Sequence, residues 1–270
     1  MRTYLVRAVV LAVVIVVPAV VEAAESAALA RSRSLYNAGD YEGAIDAASV
    51  ARRDAEWADA AVLVIARARL ERYRQNRSAS ELAEAREALQ SVRSASLSPR
   101  DQVDLLIGLG QALFLAEVYG PAAELFDTGL DKTLLITARD RTNLLDWWAT
   151  ALDFEAQKLP NDRRAPVYQR IADRMNLELR EDPTSAPANY WQVVAARGVG
   201  DLDRAWSTAI AAWVRSTLDP AATAQLRVDL DRVVEQALIP ERARSNAARE
   251  GPDQVETLRA EWALVKQNWK

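Results

Sequence analysis

The chain has no cysteine and no histidine, and only 9 glycines and 10 prolines interrupt its 270 residues. Without cysteine there is no disulfide framework, no thiolate nucleophile and no cysteine metal site. Without histidine there is no imidazole to act as general base or common zinc and haem ligand, and no side chain that titrates near neutral pH. Charge of one sign is also scarce in any one place: 34 Lys and Arg against 38 Asp and Glu stay interleaved throughout. A nucleic-acid binder needs a basic face to displace phosphate counterions, and no basic block supplies one, so nucleic acid is set aside as a partner. Carboxylates are plentiful, so counting alone does not exclude a glycosidase pair, but no segment is long enough or glycine-rich enough for a lysozyme-like catalytic lobe. The reading is therefore non-enzymatic, with no cofactor and no metal.

Half the residues are hydrophobic. They are dominated by Ala, Leu and Val, and with so few helix breakers this composition favours helices over strands. The N-terminus differs from the rest. Arg2 and Arg7 precede an uncharged run from Ala8 to Val21, and Val21-Glu22-Ala23 offers a small-residue cleavage pattern, the layout of a secretory signal peptide cut after Ala23. The run is about 14 residues against the roughly 20 of a bilayer-spanning helix, and membrane contact is expected only through this segment if it stays uncleaved. No cysteine follows it to be acylated, which excludes a lipoprotein. The expected location is periplasmic or secreted.

Three stretches beyond Ala24 share one pattern. In Ala28 to Arg52, Gly39-Asp40-Tyr41 marks a tight turn and Ala44, Ala48 and Ala51 are small positions on the helix that follows. In Leu106 to Leu130 the pattern is carried by Leu106, Leu109, Gly110, Leu113, Tyr119, Ala122, Phe126 and Gly129. In Asn189 to Trp213, Gly200-Asp201 stands at the turn and Ala205, Ala209 and Ala212 follow, with Gln192-Val193 in place of a Leu-Gly pair. Two antiparallel helices approach closest where side chains are smallest, and glycine accepts the left-handed turn conformation between them. The pattern resembles the tetratricopeptide repeat. Ala44, Ala122 and Ala205 recur about 80 residues apart, where two repeats of about 34 would span about 68, so one degenerate repeat with insertions fits each gap.

The resemblance implies an all-α, right-handed superhelical solenoid of about five antiparallel helix pairs over residues 24–218, after a signal peptide at 1–23. A helix marked by Leu226, Leu230, Val234 and Leu238, a polar linker from Pro240 to Gly251, and a last helix bearing Leu258 and Trp262 are expected to cap it as residues 219–270. A long turn is expected from Asn76 to Ser80, and a proline-flanked loop before a helix from Val167 to Arg180.

The resemblance further implies a concave groove lined by the first helix of each pair. Matching positions are Arg33, Tyr36 and Asn37, then Gln111 and Phe114, then Tyr190, Val194 and Arg197, a mixture suited to a protein or peptide of the cell envelope. The 8 tryptophans suggest an alternative, a small molecule or glycan held in the Trp-rich C-terminal half, though Trp206, Trp213, Trp262 and Trp269 at seven-residue spacing read as packing. Trp147 and Trp148 are adjacent, so at most one points inward, and the pair supplies the surface aromatic candidates.

Overall fold

The computed structural model describes residues 26–250 and 254–270. The signal segment expected at 1–23 lies outside them. Helices α1 (Ala27–Asn37), α2 (Tyr41–Ala51), α3 (Ala58–Asn76), α4 (Ala79–Ser91), α5 (Pro99–Leu115), α6 (Tyr119–Leu130), α7 (Ala138–Lys158), α8 (Asn161–Glu181), α9 (Ala186–Val199) and α10 (Leu202–Arg215) form five consecutive pairs. Helices α11 (Ala224–Val233), α12 (Ile239–Glu250) and α13 (Gln254–Asn268) follow. The fold is an all-α solenoid of consecutive helix pairs, with no strand among the described residues.

One turn, used three times, shows why the three sequence patterns fold alike. The amide of Asp40 donates to the carbonyl of Leu35, that of Val118 to Leu113, and that of Asp201 to Ala196, each at 3.0 Å. This six-residue closure requires a left-handed residue before the last donor. Gly39 at φ 81° and Gly200 at φ 90° take it freely, while Glu117 is held there at φ 62°. Asp40 and Asp201 then accept from the amides of Gly43 and Arg204, at 2.9 and 3.0 Å, and so cap the second helices. Behind each turn the small residues Ala44, Ala48, Ala122, Ala205, Ala209 and Ala212 are fully buried.

The extra residues of the long gaps have plain locations. Short 3-10 turns at Ser94–Ser96 and Thr133–Leu135 separate pairs, and α7 and α8 are 21 residues each. Asp59 anchors the first of these turns, accepting from Nε of Arg93 at 3.0 Å and from Oγ of Ser96 at 2.6 Å.

Three expectations are corrected. The α3–α4 turn is only two residues, because Arg77 adopts φ 58° and reverses the chain at once. Helix α8 begins at Asn161 and contains Pro166, which has no N–H to give the helical ladder. The segment expected as a polar linker from Pro240 is helix α12, continuous with α11 through a π turn at Val234–Leu238. In that turn the amide of Ile239 bonds back five residues to Val234. Widening the helix just ahead of Pro240 removes the clash a proline ring makes with the carbonyl four residues before it.

The core is a chain of three clusters. The first runs from Leu29 to Ala112, the second from Val103 to Ala195, and the third from Val193 to Trp262, so that α5 and α9 each serve two clusters. Each pair buries its apolar face on the next, as in a solenoid. Helices α11, α12 and α13 close the third cluster against α9 and α10. There Trp206, Trp213 and Trp262 pack ring on ring, at 6.2 and 5.4 Å between centroids, which places these rings in packing. Trp269, beyond them, is about half exposed.

Candidate functional site

Helices α1, α3, α5 and α7, the first members of four successive pairs, line one concavity of about 590 Å³. Tyr36 and Asn37 come from α1, Arg67, Glu71 and Arg74 from α3, Gln111 from α5, and Asn143 and Trp147 from α7. Helix α3 explains its own contribution. Nearly every residue from Ala60 to Leu70 is buried, and Arg67, Glu71 and Arg74 form a polar stripe at helical spacing on this otherwise apolar helix.

The wall is built by stacking and ion pairing. The guanidinium of Arg67 lies 4.9 Å from the ring of Tyr36 and pairs with Asp104 at 3.1 Å. Burial pushes the Tyr36 phenol up, against the opposing pull of Arg67. Burial also works to lower Arg67, but Tyr36, Asp104, Asp140 and Glu71 outweigh it and hold the guanidinium firmly charged. Arg74 lies 4.9 Å from the ring of Trp147 and pairs with Glu71 at 2.8 Å. Behind Trp147 stands Phe114, at 4.9 Å, itself packed on Tyr119 and Phe154. These contacts pre-set the aromatic faces and reduce what a ligand must order on docking.

The residues expected from sequence divide. Tyr36, Asn37, Gln111 and Trp147 share this groove. Phe114 supports it from behind. Arg33 is engaged with Asp101 at 2.7 Å on the neighbouring α5. The three positions expected from α9 lie elsewhere. Val194 is 8% exposed and belongs to the second core cluster, Tyr190 packs edge-on against Trp191, and Arg197 is bonded through two nitrogens to Glu241 of α12, at 2.6 and 2.8 Å. Trp148 is 1% exposed and sits in the core, so Trp147 alone of the pair reaches the groove. Adjacent helical positions face different directions, so at most one of the two rings could point inward.

Arg67, Glu71, Arg74 and Asn143 were not anticipated, since α3 and α7 belong to the degenerate pairs. A second, open concavity of about 670 Å³ lies between α5, α6, α7 and α8, walled by Leu113, Leu125, Leu152 and Val167. Among the described residues no group of three or more Asp and Glu is placed to hold a metal ion, and no helix is long and apolar enough to cross a membrane.

No protein-family model matches the sequence, and no curated protein matches it. Among solved structures, the complex of the TPR2AB domain of yeast Sti1 with pHSP90 overlaps this chain at a TM-score of 0.33 and 12% identity, covering 88% of this chain and 97% of that one. An overlap this loose carries no residue or ligand across.

Proposed function

We propose that the chain is a non-enzymatic scaffold that binds a protein or peptide in the groove of α1, α3, α5 and α7. The observation that carries this reading is the convergence of Tyr36, Arg67, Gln111 and Trp147, from four separate helices, on one concave wall. Aromatic faces, a carboxamide and a fixed guanidinium are what an extended peptide needs. A photo-crosslinking side chain placed at Asn143 should capture one partner near 1:1 stoichiometry. Tyr36→Ala with Trp147→Ala should reduce that yield at least about tenfold, a loss near 1.4 kcal/mol. Equal capture from Glu87, on the exposed face of α4, would overturn the reading.

We further propose that the scaffold works in the periplasm or outside the cell, residues 1–23 being removed on export and residues 219–270 covering the end of the repeat domain. The partner is then a component of the cell envelope. Purified from the exported fraction, the protein should have the intact mass of Ala24–Lys270. A mass that retains residues 1–23 would count against cleavage.

A further inference from the structure

The ionised side chains lining the groove fall into two groups. One group is matched within the protein. Arg67 pairs with Asp104 at 3.1 Å, Arg74 with Glu71 at 2.8 Å, and Asp140 with Arg100 at 2.7 Å. The other group is Arg139 and Asp146, which line the same groove, are exposed, and have no ion partner among the described residues. They carry opposite charges, and both stand on α7. Seven residues turn a helix almost exactly twice, so the two side chains leave one face, displaced by about 10 Å along the axis. Asn143 lies between them on that face, and Trp147 lies beside Asp146.

Each charge is reinforced by its surroundings. Arg139 sits in the first turn of α7, where the helix dipole adds positive charge. Asp146 is recessed while keeping solvent access. Burial pushes its carboxyl up, the hydrogen bond from Nε1 of Trp191 at 2.8 Å works against that, and Asp229 of α11 adds to the rise. That bond uses Oδ1 of Asp146 and leaves Oδ2 without a partner among the described residues. A cation brought to this oxygen would offset both the burial and the repulsion from Asp229.

We infer that α7 reads a pair of opposite charges on an extended peptide, Arg139 taking an acidic side chain and Asp146 a basic one three residues away. Three extended residues span about 10 Å, which matches the displacement along α7. The ring of Trp147, held by Arg74 at 4.9 Å and by Phe114 at 4.9 Å, offers an apolar surface to the stem of the basic residue. Complementary charges of this kind fix register and select partners more than they raise affinity.

This inference rests on the peptide reading above, and the test separates the two. The probes are acetyl-Gly-Glu-Thr-Val-Lys-Gly amide and acetyl-Gly-Lys-Thr-Val-Glu-Gly amide, whose central β-branched residues favour an extended backbone. Each is titrated into the full chain and followed by the indole N–H resonance of Trp147 in ¹H–¹⁵N spectra. One of the two orders should bind at least about tenfold more tightly than the other and than a probe with glutamine at both charged places. High salt should shrink that preference. Arg139→Gln should erase the discrimination between Glu and Gln in the probe and keep that between Lys and Gln. Asp146→Asn, which keeps an oxygen for Trp191, should do the converse. Arg139→Glu should pass the preference to a probe with lysine at both places.

No binding by either probe, equal binding of the charged and glutamine probes, or discrimination unaltered by the Gln and Asn variants would each overturn the inference. Tighter binding of an Ala-rich helical probe with the two charges seven residues apart would mean that a helix docks, and would overturn it as well. If the crosslinker at Asn143 still captured its partner in those cases, the groove would remain a peptide site whose register is set elsewhere. If it captured none, the peptide reading itself would fail.

Discussion

Trp262→Ala is expected to destabilise the C-terminal end by about 4 kcal/mol, within the usual cost of emptying a buried aromatic site. The side chain is fully buried in α13, its ring contacts Trp206 and Trp213 of α10, and its Nε1 donates to Asp231 of α11 at 2.8 Å. It thus joins three helices through one residue. Lys266 also reaches Asp231, at 2.6 Å, so the carboxylate keeps a partner when the indole is lost and the cost is chiefly packing. In a solenoid, stability is close to a sum of neighbouring interfaces, and damage at one end need not propagate. Thermal unfolding of the variant should therefore split, an early step for α11–α13 preceding the main transition. Hydrogen exchange should rise over 254–268 and stay unchanged in α5 and α6. Trp262→Phe, which keeps a ring, should lose about half as much. A loss below about 1 kcal/mol, or one concerted transition with uniform exchange, would show that α13 is not held through this residue.

The repeats with legible sequence were the ones whose turns need a special residue. Gly39-Asp40 and Gly200-Asp201 announce both a left-handed backbone position and a helix cap, and the alanines behind them report the close helix approach. Local chemistry fixes these features, so one sequence shows them. The groove is a different kind of property. Equivalent positions in the repeated turn, Arg33, Gln111 and Val194, end respectively in an ion pair, on the groove wall and in the core. What distinguishes them is the neighbouring pair, which local spacing does not contain. Arg197 is taken by Glu241 because α12 is a helix there, and α12 is a helix because a π turn absorbs Pro240. Pro240 in a charged stretch reads as a breaker when the widened turn before it is unknown. The stripe of Arg67, Glu71 and Arg74 was the available signal for α3. Polar residues at helical spacing inside an apolar run mark a face that the packing leaves open.

Gly198→Ala tests one of the tightest close approaches between helices, and it sets helix propensity against packing. Gly198 lies inside α9, two residues before the left-handed Gly200, where alanine would favour the helix by about 1 kcal/mol. A Cβ there would stand 2.5 Å from Cγ, Cδ1 and Cδ2 of Tyr168 in α8, in the face of the ring. The ring has little freedom to retreat. It is buried in the second core cluster, and its hydroxyl donates to Asp153 of α7 at 2.8 Å. Overpacking of this kind costs about 1–3 kcal/mol, and with the gain in propensity set against it the variant should still lose about 1 kcal/mol. Gly120→Ala is the matched control. Its added Cβ meets nothing closer than the Glu155 carboxylate at 3.4 Å, so the substitution should be neutral or slightly stabilising. Tyr168→Leu carries its own cost from the lost ring and from Asp153, which keeps only the Gln157 donor. In that background, however, Gly198→Ala should turn into a gain of about 1 kcal/mol, the propensity effect alone, a coupling of about 2 kcal/mol between α8 and α9. Urea denaturation of the four chains of the cycle measures it. If Gly198→Ala costs the same with leucine as with tyrosine at 168, the ring does not set the helix spacing, and the α8–α9 interface is held by the residues around it instead.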